Sequence, residues 1–282
     1  MKESTHLFGS HRHLLGTITM PATAAAGGPG CILMSAGVVH RTGPHRINVK
    51  IARALAERGV PSLRIDLAAV GDSRTPPTDT AYDKQAVIDL RAGIDLLNTT
   101  AETSSVIMVG LCSGAVYSLR TALIDPRVSG LFLIDGYAFP TARSHRERYL
   151  QRARTLTPGV LGRSLRNRLQ RGADAPAPTS APDYGLSHPP LADYAQDLRS
   201  LLARGVAIHQ LYTGSILQFY NYQNQYVEAF ADYPDLQAIP TEYQPAIDHT
   251  MTSLEAQQAL LDRVLGWQAG IASSTPHAHA AN

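Results

Sequence analysis

The sequence predicts an α/β fold: a mostly parallel central sheet with helices on both faces. The first observation is a series of short apolar runs, Cys31–Ser35, Ser62–Asp66, Val106–Val109, Leu131–Ile134 and Ala207–Tyr212. Each is of strand length and bounded by turn residues, as buried parallel strands are. The second is that helical spacing fills the gaps between them. Ile47, Ile51, Ala52, Leu55 and Ala56 lie on one helical face that stops at Gly59, and Ala86, Val87, Leu90, Ile94 and Leu97 repeat the pattern over Asp83–Leu97. A third helix is expected from Ala115 to Ile124. Strand and helix in alternation build a parallel sheet by right-handed crossovers. The third is composition: 282 residues, 44% hydrophobic and 17% charged, suffice for a core without disulfide or metal staples.

The remaining elements follow in order. Leu7–Gly9 and Leu14–Thr19 predict an opening hairpin, and Ala22–Gly30 is a small-residue turn. Alternation breaks from Gly136 to Gly205, where no strand is expected, and resumes at Ala207. A helix around Tyr226–Phe230, a short strand at Thr241–Tyr243 and a closing helix capped by Thr252 and Glu255 complete the series. The expected organisation is therefore a core of residues 1–136 and 206–271, a cap inserted at 137–205, and a disordered tail at 272–282.

Several function classes drop out. A net charge of +2 gives no electrostatic case for nucleic acid. Two cysteines, Cys31 and Cys112, make no disulfide framework, which suggests a reducing compartment. The N-terminal Met1–His6 lacks an apolar leader run, and no stretch reaches the ~18 apolar residues of a membrane helix. A cytoplasmic protein without membrane association is expected. No cofactor is implied, since there is no G-x-G-x-x-G after a strand, no P-loop and no zinc-spaced Cys/His cluster.

The chemistry is carried by Gly110-Leu111-Cys112-Ser113-Gly114, between an apolar strand and a helix. A sharp strand-to-helix turn displays its central side chain and admits only small residues two positions either side. That register selects Cys112, because Ser113 would be flanked by Leu111 and Ala115. The following helix aims its N-terminus at the turn, where backbone N–H groups favour negative charge. A base is expected late in the chain. His249 stands in the loop after the last short strand, in the order nucleophile then histidine.

With these motifs the chain resembles the α/β-hydrolase superfamily, most closely its serine-aminopeptidase-like and exosortase-system-associated hydrolases. The resemblance covers about Leu7–Asp135 and Val206–Trp267. Gly37–Arg46 is similar to the family's oxyanion loop, Leu63–Ser73 to its D-x-x-G-x-G-x-S loop, and Asp248-His249-Thr250 to its histidine loop. The resemblance implies an oxyanion hole from the amides of Val38 and Ser113, with His40, Arg41 and Arg46 flanking the site mouth, as substrate contacts or as loop-fixing groups. It also implies that the insertion forms a lid.

The chain departs from the family pattern twice. The elbow carries cysteine where most members carry serine, and the loop after the strand ending at Tyr212, Thr213–Asn221, holds no carboxylate. Asp135 is the expected substitute, at the C-terminal end of the strand after the elbow helix, where some lipases of this fold place their acid. A capping role in the Asp135-Gly136 turn is the alternative. Asn221 is a second candidate to orient the histidine, and Asp248 adjoins His249 too closely to bond its ring. A thiol needs such help less than a hydroxyl does, so the two departures are mutually consistent.

Nine arginines and one acid, Glu147, lie between Arg143 and Arg171. Such a face suits an acyl carrier protein, coenzyme A phosphates or a carboxylate, or is simply a solvated surface. Tyr212 and Tyr220, with Phe219, Tyr222 and Tyr226, are expected either to wall a substrate pocket or to pack beneath the lid. The expected function is an acyl-transfer enzyme, a thioesterase, esterase or acyltransferase, working through acyl-Cys112 on a small-molecule or carrier-bound ester or thioester. A lyase or cyclase using His249 as acid or base is an alternative on the same fold, and a non-catalytic binding homologue is another.

Overall fold

The computed structural model describes residues 1–23, 27–155 and 187–274. Eight strands form one sheet: β1 (Lys2–Phe8), β2 (Leu14–Met20), β3 (Pro29–Met34), β4 (Ser62–Asp66), β5 (Ser105–Leu111), β6 (Val128–Ile134), β7 (Ala207–Thr213) and β8 (Thr241–Gln244). Their spatial order is β1-β2-β4-β3-β5-β6-β7-β8. β2 is antiparallel to both neighbours, and every pairing from β4 through β3 to β8 is parallel. The sheet is thus mostly parallel, as the alternating pattern requires.

Side-chain alternation on the central strands divides the core in two. Ile107, Val109, Leu111, Phe132 and Ile134 pack on one face against α1 (Ile47–Glu57) and the closing helix. Val106, Met108, Leu131 and Leu133 pack on the other against α2 (Tyr82–Ala101) and α3 (Ser113–Ile124). Period-two strands with both faces apolar are buried on both sides. The five apolar positions expected on α1 are all buried. β1 is longer than expected because its residues before Leu7 are polar and half-exposed, an edge strand without a buried face to mark it.

After β6 come α4 (Ala142–Thr155) and α5 (Leu191–Ala203). α5 lies inside the segment expected as cap, yet Tyr194, Ala195, Leu198 and Leu201 join the α2/α3 core cluster. Residues 156–186, on which the middle of the expected lid and the second part of the arginine-rich stretch fall, lie outside the described residues, as does the tail from 275. A short α6 (Gln225–Ala229) and the closing α7 (Leu254–Ser274) complete the described fold. The N-cap of α7 is Ser253, whose Oγ accepts from Ala256 N at 3.0 Å, rather than Thr252. Thr252 is instead bonded to Asp248. No described helix is long and apolar enough to cross a membrane.

Candidate active site

The C-terminal ends of β3, β5, β6 and β7 lie side by side, and each contributes one part of a site. At the end of β5, Cys112 has φ 56° and ψ −116°, a conformation an L-residue adopts only when its surroundings enforce it. The surroundings are visible in the bonds. Cys112 N donates to Ile134 O at 2.8 Å, while its carbonyl accepts from Ala115 N at 3.0 Å and Val116 N at 3.2 Å. A Cβ on Gly110 would collide with the Gly114 carbonyl, and one on Gly114 would lie 2.8 Å from Ser35 O. These close approaches are why the turn requires glycine at both places. Cys112 is half-buried; Cys31 is fully buried in β3, where burial pushes its thiol well up and leaves it inert.

Ser113, the neighbour excluded by register, is 4% exposed and its Oγ accepts from Gly37 N at 2.5 Å. That bond ties the loop after β3 to the start of α3. The loop turns at Ala36–Val39, closed by Val39 N donating to Ala36 O at 2.9 Å. The amides of Val38 and Ser113, expected to hold an oxyanion, donate to no protein acceptor among the described residues.

At the end of β6, Asp135 also has positive φ, 49°, and its side chain is fully buried. It accepts three bonds: Thr213 N to Oδ1 at 2.7 Å, Thr213 Oγ1 to Oδ2 at 2.7 Å, and His249 Nδ1 to Oδ2 at 2.6 Å. A carboxylate so bonded on both oxygens fixes the ring that it faces. The bond with Asp135 first, and then that with Cys112, push the His249 ring up to about 10 against the opposing effect of burial. The ring therefore sits between the thiol and the carboxylate. His249 is also held through its backbone, its N–H donating to Ser215 Oγ at 2.8 Å.

The other expected orienting group, Asn221, is bonded away from the pair through its amide nitrogen. Asn221 Nδ2 donates to Ser144 O and Leu217 O at 2.9 and 3.1 Å. The Asp248 carboxylate accepts from Thr250 and Thr252, which hold it well below the usual carboxylate range and shape the histidine loop. Thr213 and Ser215 were not singled out by the sequence; only the β6–β7 register brings them to Asp135 and His249.

The residues expected to meet substrate are differently placed. Arg41 is turned inward: its N–H donates to Asp66 Oδ1 at 2.5 Å, and its guanidinium to Asp66 Oδ2 at 2.5 Å and Asp72 at 2.7 Å. His40 contacts Thr42 and Asp72, each at 3.3 Å. Both therefore hold the loop after β3 against the loop after β4. His40, Asp66 and Asp72 are a trio of metal-ligand type among the described residues, and the Arg41 guanidinium supplies the cation between the two carboxylates. Arg46 is exposed at the start of α1. Tyr212 and Tyr220 stack at 3.9 Å and are 2% and 1% exposed. Their hydroxyls donate to Tyr137 O at 2.6 Å and Gln223 O at 3.3 Å, so they pack in the core rather than present surface to a ligand.

Known proteins share this fold. No curated protein matches the chain. Among solved structures, an esterase of Pyrococcus furiosus shares 13% identity with a TM-score of 0.57, over 95% of this chain and 91% of its own. An α/β serine hydrolase without a lid from Xanthomonas campestris shares 16% identity, with a TM-score of 0.52 over 98% of this chain and 95% of its own. The proline iminopeptidase of Mycobacterium smegmatis shares 15% identity, with a TM-score of 0.51 over 96% and 98%. At these identities the likeness speaks to the fold. The model of the alpha/beta hydrolase family matches residues 37–278, which takes in the loop after β3, the turn at Cys112, Asp135 and His249, and the chain therefore belongs to that family.

Proposed function

We propose that this α/β hydrolase is an acyl-transfer enzyme that works through an acyl-Cys112 intermediate. The observation that carries the reading is the chain of contacts from Asp135 Oδ2 to His249 Nδ1 at 2.6 Å and from the His249 ring to Cys112 on its strained turn. In this reading the pair rests with its proton on His249, and the Cys112 sulfur is the nucleophile. Sulfur attacks the carbonyl carbon of an ester or thioester, and the amides of Val38 and Ser113 hold the resulting oxyanion. The tetrahedral adduct collapses, the bond to the leaving oxygen or sulfur breaks, and His249 supplies its proton to that group. Neutral His249 then takes a proton from water or another acceptor as it attacks the acyl-sulfur bond, returning Cys112. Asp135 fixes the ring throughout.

The acyl donor is proposed to be a small-molecule or carrier-bound thioester or ester. Arg143, Arg146 and Arg148 on α4, which begins seven residues beyond Asp135, favour an anionic carrier or coenzyme A phosphates. Intact-protein mass spectrometry after brief exposure to a panel of acyl thioesters and activated esters tests the reading. Acyl mass on wild type and none on Cys112→Ala supports it. Labelling of Cys112 by iodoacetamide but by no acyl donor would move the assignment to a lyase or cyclase.

A further inference from the structure

We infer that Thr213 is a positioning residue for the Asp135–His249 pair, taking over at the end of β7 the place from which this family usually supplies its acid. The inference rests on the proposed Cys112–His249 chemistry for its consequence, but its geometry stands independently. Thr213 donates twice to one carboxylate, through N–H to Oδ1 and through Oγ1 to Oδ2, both at 2.7 Å. Its hydroxyl has one proton and so must aim it at the same oxygen that receives His249 Nδ1. Thr213 Oγ1 in turn accepts from Ser215 N at 3.4 Å, and Ser215 Oγ accepts from His249 N at 2.8 Å. Two residues of one short loop therefore hold both members of the pair.

The loop is itself fixed. Gly214 N donates to Ile247 O at 2.8 Å, joining the β7 loop to the segment that carries His249. A Cβ at Gly214 would collide with the Pro245 carbonyl, so the two segments approach as closely as backbone allows. Thr213 itself is fully buried, and Asp135 N donates to Leu211 O at 2.8 Å on the same strand. A carboxylate placed on β6, one strand closer to the elbow than β7, must turn sideways to meet the histidine; its φ of 49° records that turn. The two Thr213 donors hold the carboxylate in that orientation at a strand end where an aspartate on β7 would need no such help.

The test compares Thr213→Val, which keeps the shape and removes the hydroxyl, with Thr213→Ser, which keeps it. The first readout needs no substrate: the far-downfield NMR resonance of the His249 Nδ1 proton in its short bond to Asp135. Wild type and Thr213→Ser are expected to retain it, and Thr213→Val to lose it or exchange it much faster while the protein is still fully folded at the temperature of measurement. The second readout is acylation of Cys112 by the best donor found, expected to fall about tenfold in Thr213→Val and no more than about twofold in Thr213→Ser. Retention of resonance and rate in Thr213→Val overturns the inference, as does equal loss in both variants, which would mean packing alone. If the resonance follows the hydroxyl while no variant, wild type included, is acylated, Thr213 holds the pair and it is the acyl-transfer reading that fails.

Discussion

Asp135 and His249 are 114 residues apart in the chain, and their side chains meet at 2.6 Å. Neither residue is placed by its own neighbours in sequence. Asp135 is set by the end of β6 and by Thr213, and His249 by a loop that Asp248 folds on itself and Ser215 anchors. The pair is thus a product of the sheet's strand order.

Replacing Asp135 by Asn keeps the shape but points an amide where Thr213 and His249 both donate. At least one buried donor then loses its acceptor, which costs about 1–3 kcal/mol. Acylation of Cys112 is expected to fall by about 10- to 100-fold, less than the loss known for serine triads because a thiol depends less on its base. Denaturant melts together with single-turnover acylation check both effects.

The protonation of His249 carries a signature in stability. The folded ring holds its proton up to about 10, against 6.5 for an ordinary histidine, so the Asp135 bond stabilises the fold fully below 6.5. That contribution fades as pH rises and is gone above about 10. The difference in urea midpoint between wild type and His249→Gln is therefore expected to shrink across this window. A difference that stays flat with pH would show that the ring is not held charged.

Arg41 predicts a structural phenotype. Its guanidinium is 13% exposed and meets Asp66, whose side chain is fully buried. Removing the guanidinium leaves the buried Asp66 carboxylate with backbone donors alone, at a cost of up to about 3–5 kcal/mol for a buried pair. Arg41→Ala is thus expected to lower the thermal midpoint markedly, whereas truncation of exposed Arg46 leaves it nearly unchanged. The comparison separates a loop-holding role from direct substrate contact, since an Arg41 that met substrate alone would change KM and leave the melt untouched.

What the sequence made legible follows from how local each signal is. The elbow needs only five consecutive residues, and His249 only a loop between two recognisable elements. Asp135 was reachable because strand ends are visible in the hydrophobic pattern, although its competitor Asn221 was separable only once the structure committed Asn221 to Ser144 and Leu217. Thr213 was invisible, because a threonine at a strand end carries no chemistry until register sets it against a carboxylate. Tyr212 and Tyr220 show the converse: an aromatic pair reads the same whether it walls a pocket or stacks in a core, and only packing decides. The α7 cap differs by one residue because Thr252 and Ser253 are both good caps and Asp248 takes the first.

Serine in place of Cys112 tests the logic of the whole site. A hydroxyl becomes nucleophilic only when a base removes its proton as it attacks, whereas a thiol gives its proton up beforehand. The bond to Asp135 is the largest influence keeping His249 protonated, and it survives the substitution. A ring that already carries its proton near neutrality cannot accept another from serine. Acylation of Cys112→Ser near neutral pH is therefore expected to fall by about 100-fold or more. The shortfall should narrow as pH climbs and the ring is emptied, and it should do so below about 10, because the second influence on the ring, its bond with Cys112, is lost in this variant. Single-turnover acylation by an activated ester, followed from neutrality to about pH 10 in both proteins, measures the two limbs directly. A serine variant matching wild type at neutral pH would mean that His249 is free to act as a base there, and that the thiol's readiness to ionise is not what this site is built around.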